Sequence, residues 1–120
     1  MENLPRKPVS RDTAEHYTWG DGCDGYFLLK RPEVHVIEER MPPGTTEQAQ
    51  WHEHARQLFY VLEGELTMRF DHGDVRIFRG ASLEIEPGTI HQARNETVDD
   101  VRFLVISVPP SHGDRKHADS

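Results

Sequence analysis

The chain has 120 residues, which fits one domain able to bury its own core. The formal charge of -7, from 14 Lys and Arg against 21 Asp and Glu, excludes nucleic acid as an expected partner, because binding to phosphates relies on clustered basic residues. The single cysteine, Cys23, excludes an internal disulfide and favours a cytoplasmic setting. We expect neither a secretory leader nor a membrane span, since no segment has the required run of apolar residues.

Short segments rich in Val, Ile, Phe, Leu and Tyr recur between turn signals, and no helical apolar period runs for long. In chain order, the predicted strands cover residues 26–29, 34–41, 58–70, 75–78, 83–86, 91–95 and 101–108. Gly64 lies in the middle of the long segment 58–70 and predicts a corner between two strands, because glycine permits a sharp bend. Many short strands at close spacing predict an all-β sandwich or barrel.

The composition divides the chain into three parts. Residues 1–25 are interpreted as an N-terminal arm, 26–108 as the barrel, and 109–120 as a polar C-terminal tail that is surface-bound or disordered. The acidic pairs Glu38-Glu39 and Asp99-Asp100 are interpreted as solvated faces and turns.

Histidines in two segments form the strongest chemical signal. Gln50, His52 and His54 alternate along the chain, so in a strand all three side chains would point to one face. Imidazole is the commonest ligand of transition metals in proteins, and two such groups at this spacing can share one ion. His91, which follows the turn Pro87-Gly88, is the candidate third histidine.

These two segments resemble the paired motifs of the cupin family. The first cupin motif has a His-x-His pair, then a glutamate, then six residues and a glycine. Counting back from Gly64 places Gln57 at the glutamate, His52 at the second histidine and Gln50 at the first. The second motif is matched in order by Gly80, Pro87, Gly88, His91 and Asn95.

The resemblance covers residues 34–108 and implies a double-stranded β-helix, a small jelly-roll barrel that often forms a homodimer. A second register keeps the pair as His52 and His54, with a shorter connection to Gln57. Both registers share His52, Gln57 and His91, so whether Gln50 or His54 is the further ligand stays open.

The resemblance also implies a divalent transition metal, namely iron, nickel, manganese or zinc. Glutamine is a neutral donor, so an ion at this site would be held less tightly than with a carboxylate. Phe59 and Val61 share the parity of Gln57 and are expected to line the substrate space on the same interior face.

Two functions follow from the resemblance. In the first, the barrel is a metal-dependent enzyme that acts on a small oxygen-rich organic molecule by dioxygenase-, isomerase- or lyase-type chemistry. In the second, it binds a small ligand without catalysis and with little or no metal. The fold alone does not choose between them.

Overall fold

The computed structural model describes residues 7–111 and 113–118, and each regular element in these ranges is a β-strand. The strands are β1 (Glu15–Trp19), β2 (Cys23–Lys30), β3 (His35–Met41), β4 (Gln50–His52), β5 (Arg56–Glu63), β6 (Glu65–Phe70), β7 (Gly73–Phe78), β8 (Ser82–Ile85), β9 (Gln92–Arg94), β10 (Val101–Val108) and β11 (Arg115–His117). The predicted all-β class is confirmed. The described residues include no helix long and apolar enough to cross a membrane.

The strands form a large sheet and two small ones, and neighbouring strands run antiparallel throughout. The large sheet has six strands in the order β1-β2-β3-β10-β5-β8. The second has the order β7-β6-β9, and the third pairs β11 with β4. Strands distant in the chain are therefore neighbours, and this brings residues near 50, 90 and 115 together.

Alternation along the strands builds the core. In β10 the inward side chains are Val101, Phe103, Val105 and Ser107, while the residues between them are only partly buried. This is the period-two pattern of a sheet with one face in the core. The innermost apolar side chains come from both larger sheets and include Met41, Val61, Leu66, Met68, Val101 and Phe103.

The corner predicted at Gly64 is present between β5 and β6. Gly64 has a φ of 81°, a backbone conformation that favours glycine. A Cβ added there would also lie 2.7 Å from the carbonyl oxygen of Asp100, so the corner packs directly against the loop before β10.

The two ends of the chain differ from expectation because both contribute strands. Residues 15–19, placed in the N-terminal arm by the sequence, form β1 and pair with β2. The ring of Tyr17 lies over Gly25, the residue directly opposite, where a Cβ would overlap it. Residues 115–117, placed in a polar tail, form β11 and pair with β4. Residues 1–6, 112 and 119–120 of these two predicted segments lie outside the described residues.

Candidate functional site

Backbone pairing brings Gln50, His52 and His91 together. The Gln50 amide donates to the His91 carbonyl at 3.0 Å, and the His91 amide donates to the Gln50 carbonyl at 2.9 Å. Residues directly opposite in an antiparallel pair share a face, so the side chains of Gln50 and His91 are neighbours. His52 has the same parity as Gln50, and its ring centroid lies 5.7 Å from that of His91.

The two imidazoles are buried and have nitrogen atoms without a hydrogen-bond partner. Neither ring nitrogen of His52 has a partner among the described residues, and Nε2 of His91 has none. The Nδ1 of His91 lies 2.8 Å from the carbonyl oxygen of Thr89. Since a carbonyl only accepts, Nδ1 carries the proton and Nε2 offers a lone pair. Buried polar atoms without a partner are costly and point to a missing ligand.

Both imidazoles are neutral at ordinary pH. Burial, and then the neighbouring His91, lower the pKa of His52 to about 4. Burial also lowers the pKa of His91. The neutral ring is the form that binds a metal ion, so the environment holds both residues in the form a metal requires.

The side-chain amides of Gln57 and Gln50 each donate a hydrogen bond through the nitrogen atom. Nε2 of Gln57 donates to Oγ of Ser107 at 3.0 Å, across the β5–β10 pair. Its Oε1 is buried and has no partner among the described residues. Nε2 of Gln50 donates to Oε2 of Glu47 at 3.1 Å. In each case the nitrogen is used, which leaves the oxygen as the group that could bind a ligand.

A cavity of about 260 Å³ lies beside these groups. Gln50, Gln57 and Phe59 form part of its wall, while His52 and His91 do not line it. The ring of Phe59 is edge-on to His91, with centroids 6.2 Å apart, so the imidazoles lie close behind this wall. Phe59 lines this cavity, whereas Val61 is completely buried in the core and is not part of the cavity wall.

An acidic group that the sequence analysis missed faces the same cavity. Glu39 lines it together with Glu47 and Tyr17, so the interpretation of Glu39 as part of a solvated face is wrong. The Tyr17 hydroxyl donates to Oε2 of Glu39 at 3.2 Å. Oε1 of Glu47 accepts from the Ala93 amide at 2.9 Å.

Burial raises the pKa values of Glu39, Glu47 and Tyr17. Burial, and then the negative charge of Glu47, raise the pKa of Glu39 to about 8. Burial raises the pKa of Glu47 to about 7. Burial and the adjacent Glu39 raise the pKa of Tyr17. Carboxyl groups shifted this far in a cleft are candidates for a functional role.

His54 does not join the buried histidines. Strand β4 ends at His52, so the alternation that would turn His54 inward stops there, and the His54 side chain is 71% exposed. With Glu53 and Asp114 it forms the only cluster of three or more His, Cys, Asp or Glu ligand atoms among residues 7–111 and 113–118. The Asp114 carboxylate accepts from the backbone amides of residues 53, 54 and 55 at 2.8–3.2 Å, which explains this cluster structurally.

Comparison with known proteins agrees with this geometry. A solved protein of Klebsiella pneumoniae subsp. pneumoniae, described as having a double-stranded β-helix domain, superposes with a TM-score of 0.75 at 17% identity, over 87% of this chain and 90% of its own. The polyketide cyclase RemF from Streptomyces resistomycificus superposes with a TM-score of 0.84 at 18% identity, over 97% and 87%. The fold is therefore the predicted double-stranded β-helix.

The family is also defined at the sequence level. A family model described as a cupin domain matches residues 37–107, more than half of the chain. An uncharacterised protein of Methanocaldococcus jannaschii is 27% identical over 88 residues, which are 72% of this chain and 70% of that protein. The chain belongs to the cupin family.

Proposed function

We propose that this cupin is an enzyme that binds a divalent transition metal and acts on a small oxygen-rich organic molecule by moving a proton. The observation that carries the proposal is the set of buried, unpartnered donor atoms: both nitrogens of His52, Nε2 of His91 and Oε1 of Gln57. Such atoms are costly in a folded protein unless a ligand satisfies them.

The donor set fits a transition metal. His52 and His91 would hold the ion through neutral nitrogen atoms, and Gln57 and Gln50 would complete its shell through amide oxygens. Iron, nickel, manganese and zinc all accept such donors. When bound, the ion supplies Lewis acidity that polarises a carbonyl or enol oxygen of the substrate. Two neutral amides leave the positive charge of the ion largely uncompensated, which favours this role.

Glu39 is the proposed proton-transfer residue. It lines the same cavity as Phe59, and its carboxylate accepts a hydrogen bond from the Tyr17 hydroxyl at 3.2 Å. A carboxyl with its pKa raised to about 8 takes and returns a proton near neutral pH more readily than an ordinary carboxylate. Tyr17 fixes the orientation of that carboxyl.

The cavity size limits the substrate to a small molecule, since its volume of about 260 Å³ is slightly below the usual range of ligand pockets. One structural neighbour, RemF, is a polyketide cyclase, so the same fold serves an enzyme that acts on polyketides, which are rich in carbonyl groups. We therefore propose an enolisable carbonyl compound as the substrate class.

Metal analysis tests the proposal. Protein prepared without a metal-affinity tag and loaded with Zn²⁺ or Fe²⁺ is expected to retain close to one ion per chain after dialysis. His52→Ala and His91→Ala are each expected to lose most of it, because each removes one of two nitrogen ligands. His54→Ala is the matched control and should retain the ion, since this side chain is 71% exposed.

A variant with a higher expected affinity for the metal ion provides a second test. Gln57→Glu adds a carboxylate at the proposed ligand position and is expected to bind the ion about tenfold more tightly or better. Loss of the ion in His54→Ala, with retention in His52→Ala, would instead assign binding to the exposed cluster and contradict the proposal.

A second candidate function is a non-catalytic, weakly metallated ligand-binding cupin. The neutral amides of Gln50 and Gln57 favour it, because both are already anchored by hydrogen bonds to Glu47 and Ser107. Ligand binding that is unchanged by chelation would support this alternative. Cytoplasmic location and a homodimer are also proposals, which fractionation and sedimentation test.

A further inference from the structure

The C-terminal strand places a cation at the cavity. In the β11–β4 pair, Arg115 is directly opposite His52, so both side chains lie on the same side of the small sheet. Arg115 lines the cavity, together with Ser111 and Gly113 from the same segment. A segment that reads as a polar tail in the sequence is therefore part of the cavity wall.

Specific contacts hold this segment in place. The Asp114 carboxylate accepts from the amides of His54 at 2.9 Å and Ala55 at 2.8 Å, and the Ala118 amide donates to the Ala49 carbonyl at 3.0 Å. Desolvation raises the pKa of Asp114, but hydrogen bonds from these backbone amides outweigh it and keep the pKa below its ordinary value. The Asp114 carboxylate thus holds the segment before Arg115, and the Ala118 amide holds it after Arg115.

The guanidinium of Arg115 has no hydrogen bond or ion pair to any residue in the described ranges, in contrast to Arg40 and Arg56, which pair with Asp24 and Glu84. It is a cation of the cavity wall, directly opposite His52 in the β11–β4 pair.

The acidic groups of the cavity do not neutralise this charge. Glu39 and Glu47 are the carboxyls that line it, and neither lies within 4.0 Å of the Arg115 guanidinium. Among the described residues that line the cavity, Arg115 is therefore a cation without an ion-paired carboxylate.

We propose that Arg115 is a specificity-determining residue that binds a carboxylate of the substrate in the cavity. A planar guanidinium with several N–H donors matches a carboxylate through two parallel hydrogen bonds. This inference deepens the proposed function, since it assigns the charge of the substrate. It depends on the position of Arg115 rather than on bound metal.

Binding of a matched pair of probes tests the inference. Benzoate and benzamide have nearly the same shape and differ in charge. The protein is treated with a chelator beforehand, so that neither probe can bind directly to a metal ion. Titration calorimetry is expected to show benzoate binding about tenfold more tightly than benzamide, the factor for one charge-assisted hydrogen bond. Arg115→Gln is expected to remove this preference.

Lys116→Gln is the control, because it removes the same charge from the next residue, which alternates to the other side of β11. It should keep the preference for benzoate. Asp114→Ala, which releases the segment, should weaken benzoate binding as Arg115→Gln does. Thermal unfolding of each variant confirms that the barrel is intact.

Equal affinity of the wild type for both probes, no binding of benzoate, or equal effects of Arg115→Gln and Lys116→Gln would each overturn the inference. Failure of the proposed function is recognised separately. If the wild type prefers benzoate but holds no metal, the anion site is supported and the proposed metal-dependent function is contradicted. If the wild type holds metal but shows no preference for benzoate, the proposed function is supported and the anion site is contradicted.

Discussion

Gly64→Ala is expected to lower the free energy of unfolding by about 3 kcal/mol. Two effects add at this corner. An alanine at a φ of 81° costs roughly 1–2 kcal/mol of backbone strain. The new Cβ would lie 2.7 Å from the Asp100 carbonyl oxygen, and a backbone shift to relieve such overlap costs roughly 1–3 kcal/mol. Chemical denaturation of wild type and variant measures the difference.

Gly44→Ala is the matched control for strain alone. Gly44 has a φ of 76°, but a Cβ added there meets no atom within 4 Å. Its expected cost is about 1–2 kcal/mol. Equal losses in the two variants would mean that the contact of the corner with Asp100 contributes nothing, and the tight packing of β5 and β6 against the loop before β10 would have to be reconsidered.

Glu39→Gln is expected to stabilise the metal-free protein at high pH and to leave it almost unchanged at low pH. The pKa of Glu39 is raised from 4.5 to about 8 in the folded protein, mainly by burial. Between these values the folded state holds a proton that the unfolded state has released, so this group's stabilising contribution is present below pH 4.5 and is lost as the pH rises towards 8. Glutamine does not titrate and keeps the acceptor oxygen for Tyr17.

At pH 9 the free energy of unfolding of Glu39→Gln is expected to exceed that of the wild type by at least about 1 kcal/mol, since one pKa unit corresponds to about 1.4 kcal/mol. Thermal unfolding of chelator-treated wild type and variant at pH 4 and pH 9 measures it. The neighbour Glu38 supplies the control, because it points away from the cavity and pairs with Arg11 at 3.3 Å and Arg102 at 3.7 Å. Glu38→Gln should show no gain at pH 9. A Glu39→Gln variant that is less stable at pH 9 would show that Glu39 is ionised in the fold.

The metal and the charge of the substrate are assigned to different residues. The buried donors on β4, on β5 and at His91 would bind the metal, while Arg115 in the cavity wall would bind the carboxylate of the substrate. Glu39, which also lines the cavity, is the proposed proton-transfer residue. Each assignment has its own variant and its own measurement, so one can fail without the others.

Several features followed from the sequence. Strong β-formers between turn residues predicted the strands of the barrel, and Gly64 predicted the corner, because both depend on local preferences. The paired motifs predicted that His52 and His91 lie together, although they are 39 positions apart in the chain. Glu39 could also have been found, because Ile37, Glu39 and Met41 alternate along β3 and share its inner face.

Other features depended on where strands end and pair. His54 continues the alternation of Gln50 and His52 in the sequence, but β4 ends first, and a face is shared only within a strand. The position of Arg115 in the cavity wall has no sequence signal, since β11 is short and polar and is defined by its pairing with β4 and the Asp114 contacts. The sequence thus determined the barrel and its histidines, through local preference and motif spacing. Only the tertiary structure decided that Arg115 lines the cavity and that His54 does not join the buried histidines, because both depend on where strands end and on contacts between segments distant in the chain.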